Sequence, residues 1–582
     1  ALELLSAWLS CGRKGRLVER IKERRFLATS IAGYCQFYAD SGYFGLYASF
    51  DPSRRAELLE AIDLELAALM DDLPSEAELF RLRRQFIVST LRQFDDMMSL
   101  CETVMDSEFC FGTPTAARDR LRALFAVTPE DVRRVARLYL KPTCFAQTLM
   151  LPPPANASDK TASSPSKPLP VREEIDGVPV FLRSDSRLPK VTIHLRFKGG
   201  SLLESAHEAG ILTVGASLAT RGYEGVSREK LDECLESLGA NFSASLEVDS
   251  LSLSLTALAP DVENLLPLLI GSFRSPTCAP EEFEKVKEEH LLNLETCRES
   301  PKWVAWDNCR RELFRCQRYR ISLDGRLETV KPLTADQVRS KLKETFRRGN
   351  CSIAVFGALP LDKARNIAKR LIEALPEGAP QLAPVATLDL TRAQNLTVTQ
   401  DCSQAIIILG RNAPSFSGKN RDAYTLLARM MSGLSSELFK KARIDRGLAY
   451  YIYAENRTCL CEGAFSIVCG TEPRHLDKIE ALVDEELTRY ATQGPTPEEV
   501  VRAKEPLLRS ADALWQDNRD FAAVCTLVEL MGTSFDRILR PKDFLEAVTP
   551  EQIKQAAADL LKAPRIRSVV LPRQAPSQKQ NR

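Results

Sequence analysis

Residues 191 to 198 read Val-Thr-Ile-His-Leu-Arg-Phe-Lys, which puts Val191, Ile193, Leu195 and Phe197 on one side of an extended chain and Thr192, His194, Arg196 and Lys198 on the other. A period of two predicts a strand with one buried face. The stretch from Leu251 repeats the pattern, with Leu251, Leu253 and Leu255 set against Ser252, Ser254 and Thr256. Together they predict an antiparallel sheet whose polar face meets water. Helical periodicity fills the chain between such strands, so the region predicts an α+β sandwich. The opening stretch, ALELLSAWLSCGRKGRLVERI, already spaces its apolar residues as a helix does, with no leader ahead of it. The chain therefore reads as beginning inside a domain.

Two stretches far apart are alike: FAVTPEDVRRVARLYLKP from Phe125 and EAVTPEQIKQAAADLLKAP from Glu546. Aligning Thr128 with Thr549 gives an offset of 421 (549 minus 128), and that offset also sets Gly12 on Gly433, Arg25 on Arg446, Gly42 on Gly463, Phe44 on Phe465 and Pro52 on Pro473. Chance does not hold one offset across so many turn-forming and core positions, so the first and last segments are copies of one unit. A further echo, LTADQVRSKLKETFRRGNCSIAVFG at 333 to 357, predicts a capped amphipathic helix followed by a strand. Pro- and Ser-rich residues 151 to 170 form a linker with too little apolar surface to order itself, and Pro and Gly cluster again at 375 to 389. The divisions are 1–150, 171–378 and 390–573, with a second linker at 379–389 and a polar tail at 574–582.

Composition narrows the function. With 79 Lys and Arg against 78 Asp and Glu, the net charge is +1, so no bulk field draws in nucleic acid or an anionic membrane. No apolar run approaches the roughly 18 to 20 residues of a membrane helix, which predicts a soluble chain. The 16 cysteines form no CxxC pair, and only Cys459 and Cys461 fall close together; they read mostly as buried thiols. Their lack of pattern favours a cytoplasmic compartment, with a periplasmic one left open by the absent start. There is no GxSxG elbow, no phosphate-binding GxxxxGK[ST] and no GxGxxG after a strand. The four histidines, His194, His207, His290 and His475, include no two at ligand spacing. They read as ordinary exposed or hydrogen-bonded imidazoles.

One pair of residues stands out. KKARIDRGLAYYIY, 440 to 453, is a helix end, a glycine and a strand start, with Arg443 and Tyr450 seven apart across the break. The matching places of the first copy hold Lys22 and Thr29.

The order of elements, with GGSLLESAHEAGILTVGASLATRGYEGVSREKLDECLESLGANFSASLEVDS early and MSGLSSELFKKARIDRGLAYYIY late, resembles the pitrilysin/insulinase (M16) metallopeptidase family, in its bacterial and mitochondrial-processing-peptidase-like branch. The resemblance implies tandem LuxS/MPP-like α+β sandwich units with mainly antiparallel sheets, three in this chain. Two units make one domain, and two domains close like a clamshell on a peptide. Residues 1–150 then correspond to the second half of a first domain, and 171–573 to a complete second domain.

The family's zinc motif is His-x-x-Glu-His on a helix, two imidazole ligands flanking a general base. The matching positions here are Thr213, Ala216 and Ser217, which supply neither ligands nor base. EEFEKVKEEHLLNLE, 281 to 295, occupies the helix that carries the third ligand in active members; Glu288, Glu289 and His290 read there as a solvated face. Arg443 and Tyr450 resemble the family's substrate-binding pair, whose guanidinium and phenol hydrogen-bond a peptide carbonyl and its oxyanion. Two-subunit members divide this labour, one domain holding the metal and the other the pair. The resemblance thus implies no catalytic residue and no metal site in this chain, with Zn²⁺ expected in the missing N-terminal half-domain or in a separate zinc-bearing subunit. Peptides are the implied substrates, and a non-catalytic scaffold or partner subunit is the alternative.

Overall fold

The computed structural model describes residues 1–11, 15–28, 30–38, 40–50, 54–93, 97–140, 145–149, 168–276, 279–382, 392–433 and 436–573. Most of the expected first linker, part of the second, the tail, and the repeat anchors Gly12 and Pro52 lie outside the described residues, as does Thr29.

Three sheets organise the described residues. The first unit has a hairpin of β1 (Ser30–Phe37) and β2 (Gly42–Ser49). The middle unit builds a six-stranded sheet from β3 (Val171–Ile175), β4 (Val178–Ser184), β5 (Lys190–Lys198), β6 (Asn241–Glu247), β7 (Ser250–Leu258) and β8 (Cys351–Gly357), in the order β3-β4-β8-β5-β7-β6. The third unit builds a five-stranded sheet from β9 (Gln394–Gln400), β10 (Ala405–Ala413), β11 (Ala449–Thr458), β12 (Gly463–Thr471) and β13 (Ile566–Pro572), in the order β11-β12-β10-β13-β9. The α+β class holds, but the sheets are mixed: β4 runs parallel to β8, and β13 parallel to β9. Each parallel pair joins strands far apart in sequence, which no hairpin turn reaches.

The repeat is visible element by element. Helices Arg55–Ala68, Glu76–Gln93 and Pro129–Tyr139 recur as Leu476–Gln493, Pro497–Leu514 and Pro550–Lys562, and hairpin β1–β2 recurs as β11–β12. Thr128 with Asp131, and Thr549 with Gln552, close reciprocal capping boxes at the same place in the two copies. Thr334 and Gln337 do the same before β8.

The middle and third units interlock through two helices. One, α4 (Pro301–Leu313), leaves the middle unit and lays Ala305, Cys309 and Leu313 on Ile406, Ile408, Ile566 and Val570 of β10 and β13. The other, α5 (Asn518–Leu530), leaves the third unit and lays Phe521, Ala522 and Cys525 on Phe181, Ala354 and Phe356 of β4 and β8. Arg183 of β4 is locked against α5: its guanidinium stacks on Trp515 and Phe521 and donates to Asn518 Oδ1 at 2.8 Å.

This exchange overturns the expectation of a wetted polar face. Strand β5 is buried on both sides because α5 covers Thr192, His194 and Arg196. His194 lies 3.1 Å from Thr526 Oγ1, and burial first, then the Arg196 charge, holds it well below the usual histidine range. Arg196 reaches Glu247 and Ser250 at 2.6 and 2.7 Å.

The first unit meets the middle one through ion pairs, Arg81–Glu236 at 2.9 Å, Arg228–Glu23 at 3.7 Å, Lys285–Glu23 at 3.6 Å, and Arg84–Asp261. The cysteines are less buried than expected: of those described, Cys309, Cys316, Cys351, Cys469 and Cys525 are fully buried, and Cys101 and Cys461 are exposed. Among the described residues no helix is long and apolar enough to cross a membrane.

Candidate functional site

The helix at the expected zinc position, α2, spans Ile211–Ala219, and helix Met97–Phe111 of the first unit is α1. Gly210 precedes it with φ +95°, and a Cβ there would come within 2.6 Å of the Asp324 carbonyl, so only glycine fits. The buried Glu204 carboxylate caps the helix, accepting from Leu212 N at 2.9 Å and Gly210 N at 3.3 Å and pairing with Arg318 at 2.9 Å. Burial outweighs these contacts and pushes its carboxyl up to about 7.

This cap aims Thr213, Ala216 and Ser217 into an open cavity of about 510 Å³, bounded by Thr220, Arg221 and strand β6. The hydroxyls are engaged with the backbone: Thr213 donates to the Leu323 carbonyl at 2.8 Å, and Ser217 to the Thr213 carbonyl at 3.3 Å. Ala216 offers a methyl where the motif has its base. The helix that packs alongside, α3 (Pro280–Glu299), turns Glu289 and Glu282 to the Arg221 guanidinium at 2.7 and 3.3 Å. The expected solvated face of α3 is corrected at one residue, His290, while Glu288 and Glu289 stay exposed. Glu289 is tied into that ion pair, and His290 is buried with Nε2 2.8 Å from the Asp324 carbonyl, because α3 lies against α2 and the loop at Asp324. Among the described residues no three His, Cys, Asp or Glu side chains form a group able to hold a metal ion. The donor set at α2 does not fit zinc.

Arg443 and Tyr450 lie elsewhere, on the third unit, and neither lines that cavity. Arg443 belongs to a π-helix, Lys440–Asp445, whose widened turn is pinned by Lys441 to Glu486 and Glu485 at 2.5 and 2.9 Å. The π-helix turns into β11 through Gly447, at φ +58°. Strand β11 slips register against β12 between Ala449 and Tyr451, leaving Tyr450 as the extra residue of a bulge. Both devices re-aim side chains and recur at functional sites. Both side chains are exposed, Tyr450 at 53%, and Arg443 rests on the Phe439 ring at 5.6 Å. The first copy keeps the π-helix, Val18–Glu23 with Lys22, but its hairpin is in continuous register from Ser30 to Phe37.

Tandem α+β sandwiches interlocked by exchanged helices, with a capped helix carrying Thr213, Ala216 and Ser217, define the class of fold. Residues 1–86 and 332–507 match the family described as peptidase M16 inactive domain, and residues 179–325 match insulinase (peptidase family M16). The chain belongs to the peptidase M16 family. An uncharacterized zinc protease of Rickettsia felis is 24% identical over 64% of this chain and 90% of its own length. The non-peptidase homolog YmxG of Helicobacter pylori is 23% identical over 57% of this chain and 77% of its own. The peptidase M16 inactive domain from Pseudomonas fluorescens shares the fold, with a TM-score of 0.65 at 22% identity over 70% of this chain and 99% of that one.

Proposed function

We propose that this chain is the C-terminal portion of a zinc-dependent M16 endopeptidase that cleaves peptides in a clamshell chamber. Residues 1–150 act as the second half of a first domain, and 171–378 and 390–573 as the two halves of a metal-free second domain that presents Arg443 and Tyr450 to the peptide. The observation that carries this reading is a contrast. Helix α2 holds inward-bonded hydroxyls and a methyl at its ligand positions, whereas Arg443 and Tyr450 stand exposed on a π-helix and a bulge. From there a guanidinium and a phenol donate to a peptide carbonyl and to the oxyanion that develops on it. The zinc ligands belong to a half-domain preceding residue 1.

Two surfaces of the first unit fit that half-domain. Helix α1 stands at the offset of α5, yet it leaves Val104, Met105 and Phe109 exposed, Phe109 at 85%. A sheet like that of the middle unit would cover this face as the middle sheet covers α5. Strand β2 pairs only with β1 among the described residues, whereas its counterpart β12 lies between β11 and β10.

The second reading, a non-catalytic scaffold or the partner of a separate zinc subunit, is supported by the likeness to a relative named as a non-peptidase homolog. Peptide hydrolysis by the zinc-bearing half alone, this chain alone and the two together separates them. The proposal expects turnover only from the assembled pair. An assembled, zinc-loaded pair without turnover establishes the scaffold.

A further inference from the structure

Cys316 and Cys461 belong to different units yet share one site. Cys316 is buried in the stretch that follows α4, and Cys461 is exposed at the tip of the β11–β12 hairpin. Hydrogen bonds dock that tip onto the middle unit. Arg315 N and Cys316 N donate to the Glu462 carboxylate at 3.2 and 2.5 Å, and Leu460 N donates to the Asp249 carboxylate at 2.8 Å. Cys461 N donates to the Tyr319 hydroxyl at 3.1 Å, while that hydroxyl donates to Asp249. Inside this frame the two thiols lie near each other, and each shifts the other's titration.

We propose that Cys316 and Cys461 are a redox-active pair that a low-molecular-weight disulfide, such as oxidised glutathione, closes into a disulfide joining the middle and third units. Cys461 is the attacking thiol. It is exposed, and the neighbouring Cys316 thiol, helped by Tyr319 and opposed by burial and by Asp249 and Glu462, brings it down to about 7. Cys461, with burial, pushes Cys316 up. The Cys461 thiolate attacks one glutathione sulfur, forming a mixed disulfide and releasing one glutathione. Cys316 then attacks the Cys461 sulfur, gives its proton to the departing thiolate, and releases the second glutathione. One glutathione disulfide is reduced to two thiols while two protein thiols become one disulfide.

Cys459, two residues away, is the internal control, since burial pushes its thiol up and Glu462 and Asp249 add to the effect. The full chain is incubated with oxidised glutathione under native conditions and followed by intact mass and non-reducing peptide mapping. The expected product is lighter by about 2 Da with no retained glutathione, carries a Cys316–Cys461 link, and reverts under dithiothreitol. The link forms in Cys459→Ser and fails in Cys461→Ser. A glutathione adduct that persists on Cys461, a link through Cys459, or unchanged thiols at both positions in the wild-type chain would each overturn the proposal.

Discussion

Phe521 is the keystone of the clasp between the middle and third units, and Phe521→Ala measures what that clasp is worth. Its ring is fully buried, 4.5 Å from Trp515 and 5.5 Å from Phe356 by centroid, and the Arg183 guanidinium lies 5.1 Å from its centre. Removing a buried phenylalanine costs about 3 to 5 kcal/mol in lost transfer and cavity. The lost cation–π contact adds about 1 kcal/mol, because Arg183 keeps Trp515. The expected loss is about 4 to 6 kcal/mol, a large share of a domain's about 5 to 15 kcal/mol. Urea unfolding read by tryptophan fluorescence, with Trp515 beside the deletion, gives the number. The matched control is Phe109→Ser on α1, whose side chain is 85% exposed and should cost under about 0.5 kcal/mol in this chain. A loss below about 1 kcal/mol at Phe521 would refute the clasp.

The remaining predictions concern the capped helix and the open face. The wild-type chain should retain no zinc after dialysis against a weak chelator, whereas Thr213→His with Ala216→Glu and Ser217→His should retain it by elemental analysis; zinc in the wild type would reveal a missed site. Glu204 has its carboxyl raised to about 7 from a model-compound 4.5, so its contribution is full below pH 4.5 and is lost as pH rises through 7, by about 3 kcal/mol. Thermal melts of Glu204→Gln should therefore lose that downward slope between pH 4.5 and 7, and a slope identical to wild type would contradict the burial argument. Met105→Asp with Phe109→Asp should weaken association with a zinc-bearing half at least tenfold by titration calorimetry while leaving this chain's melting unchanged, since both side chains are exposed.

The sequence carried the strands and the repeat, because period-two alternation, capping threonines and a fixed offset are all local signals. It missed whatever depended on chain arriving from far away. Thr192, His194 and Arg196 look like a wet face until α5, from the other unit, lies over them. His290 looks solvated until the Asp324 carbonyl meets it. The π-helix around Arg443 and the bulge at Tyr450 are hydrogen-bond arrangements without a residue signature; only Gly447 marked the break. Cys316 carried no local pattern, and its nearness to Cys461 is legible only once the hairpin docks.

The division of labour is tested most directly by peptide turnover in the full-length protein, or in this chain joined by its zinc-bearing half. Arg443→Ala and Tyr450→Phe should each lower kcat/KM by about 10² or more, the scale of one lost oxyanion donor, with zinc content and melting unchanged. Lys22→Ala and Thr29→Ala, at the equivalent places of the first copy, should stay within a few-fold of wild type. Equal, small effects from both sets would make Arg443 and Tyr450 packing residues and contradict the account.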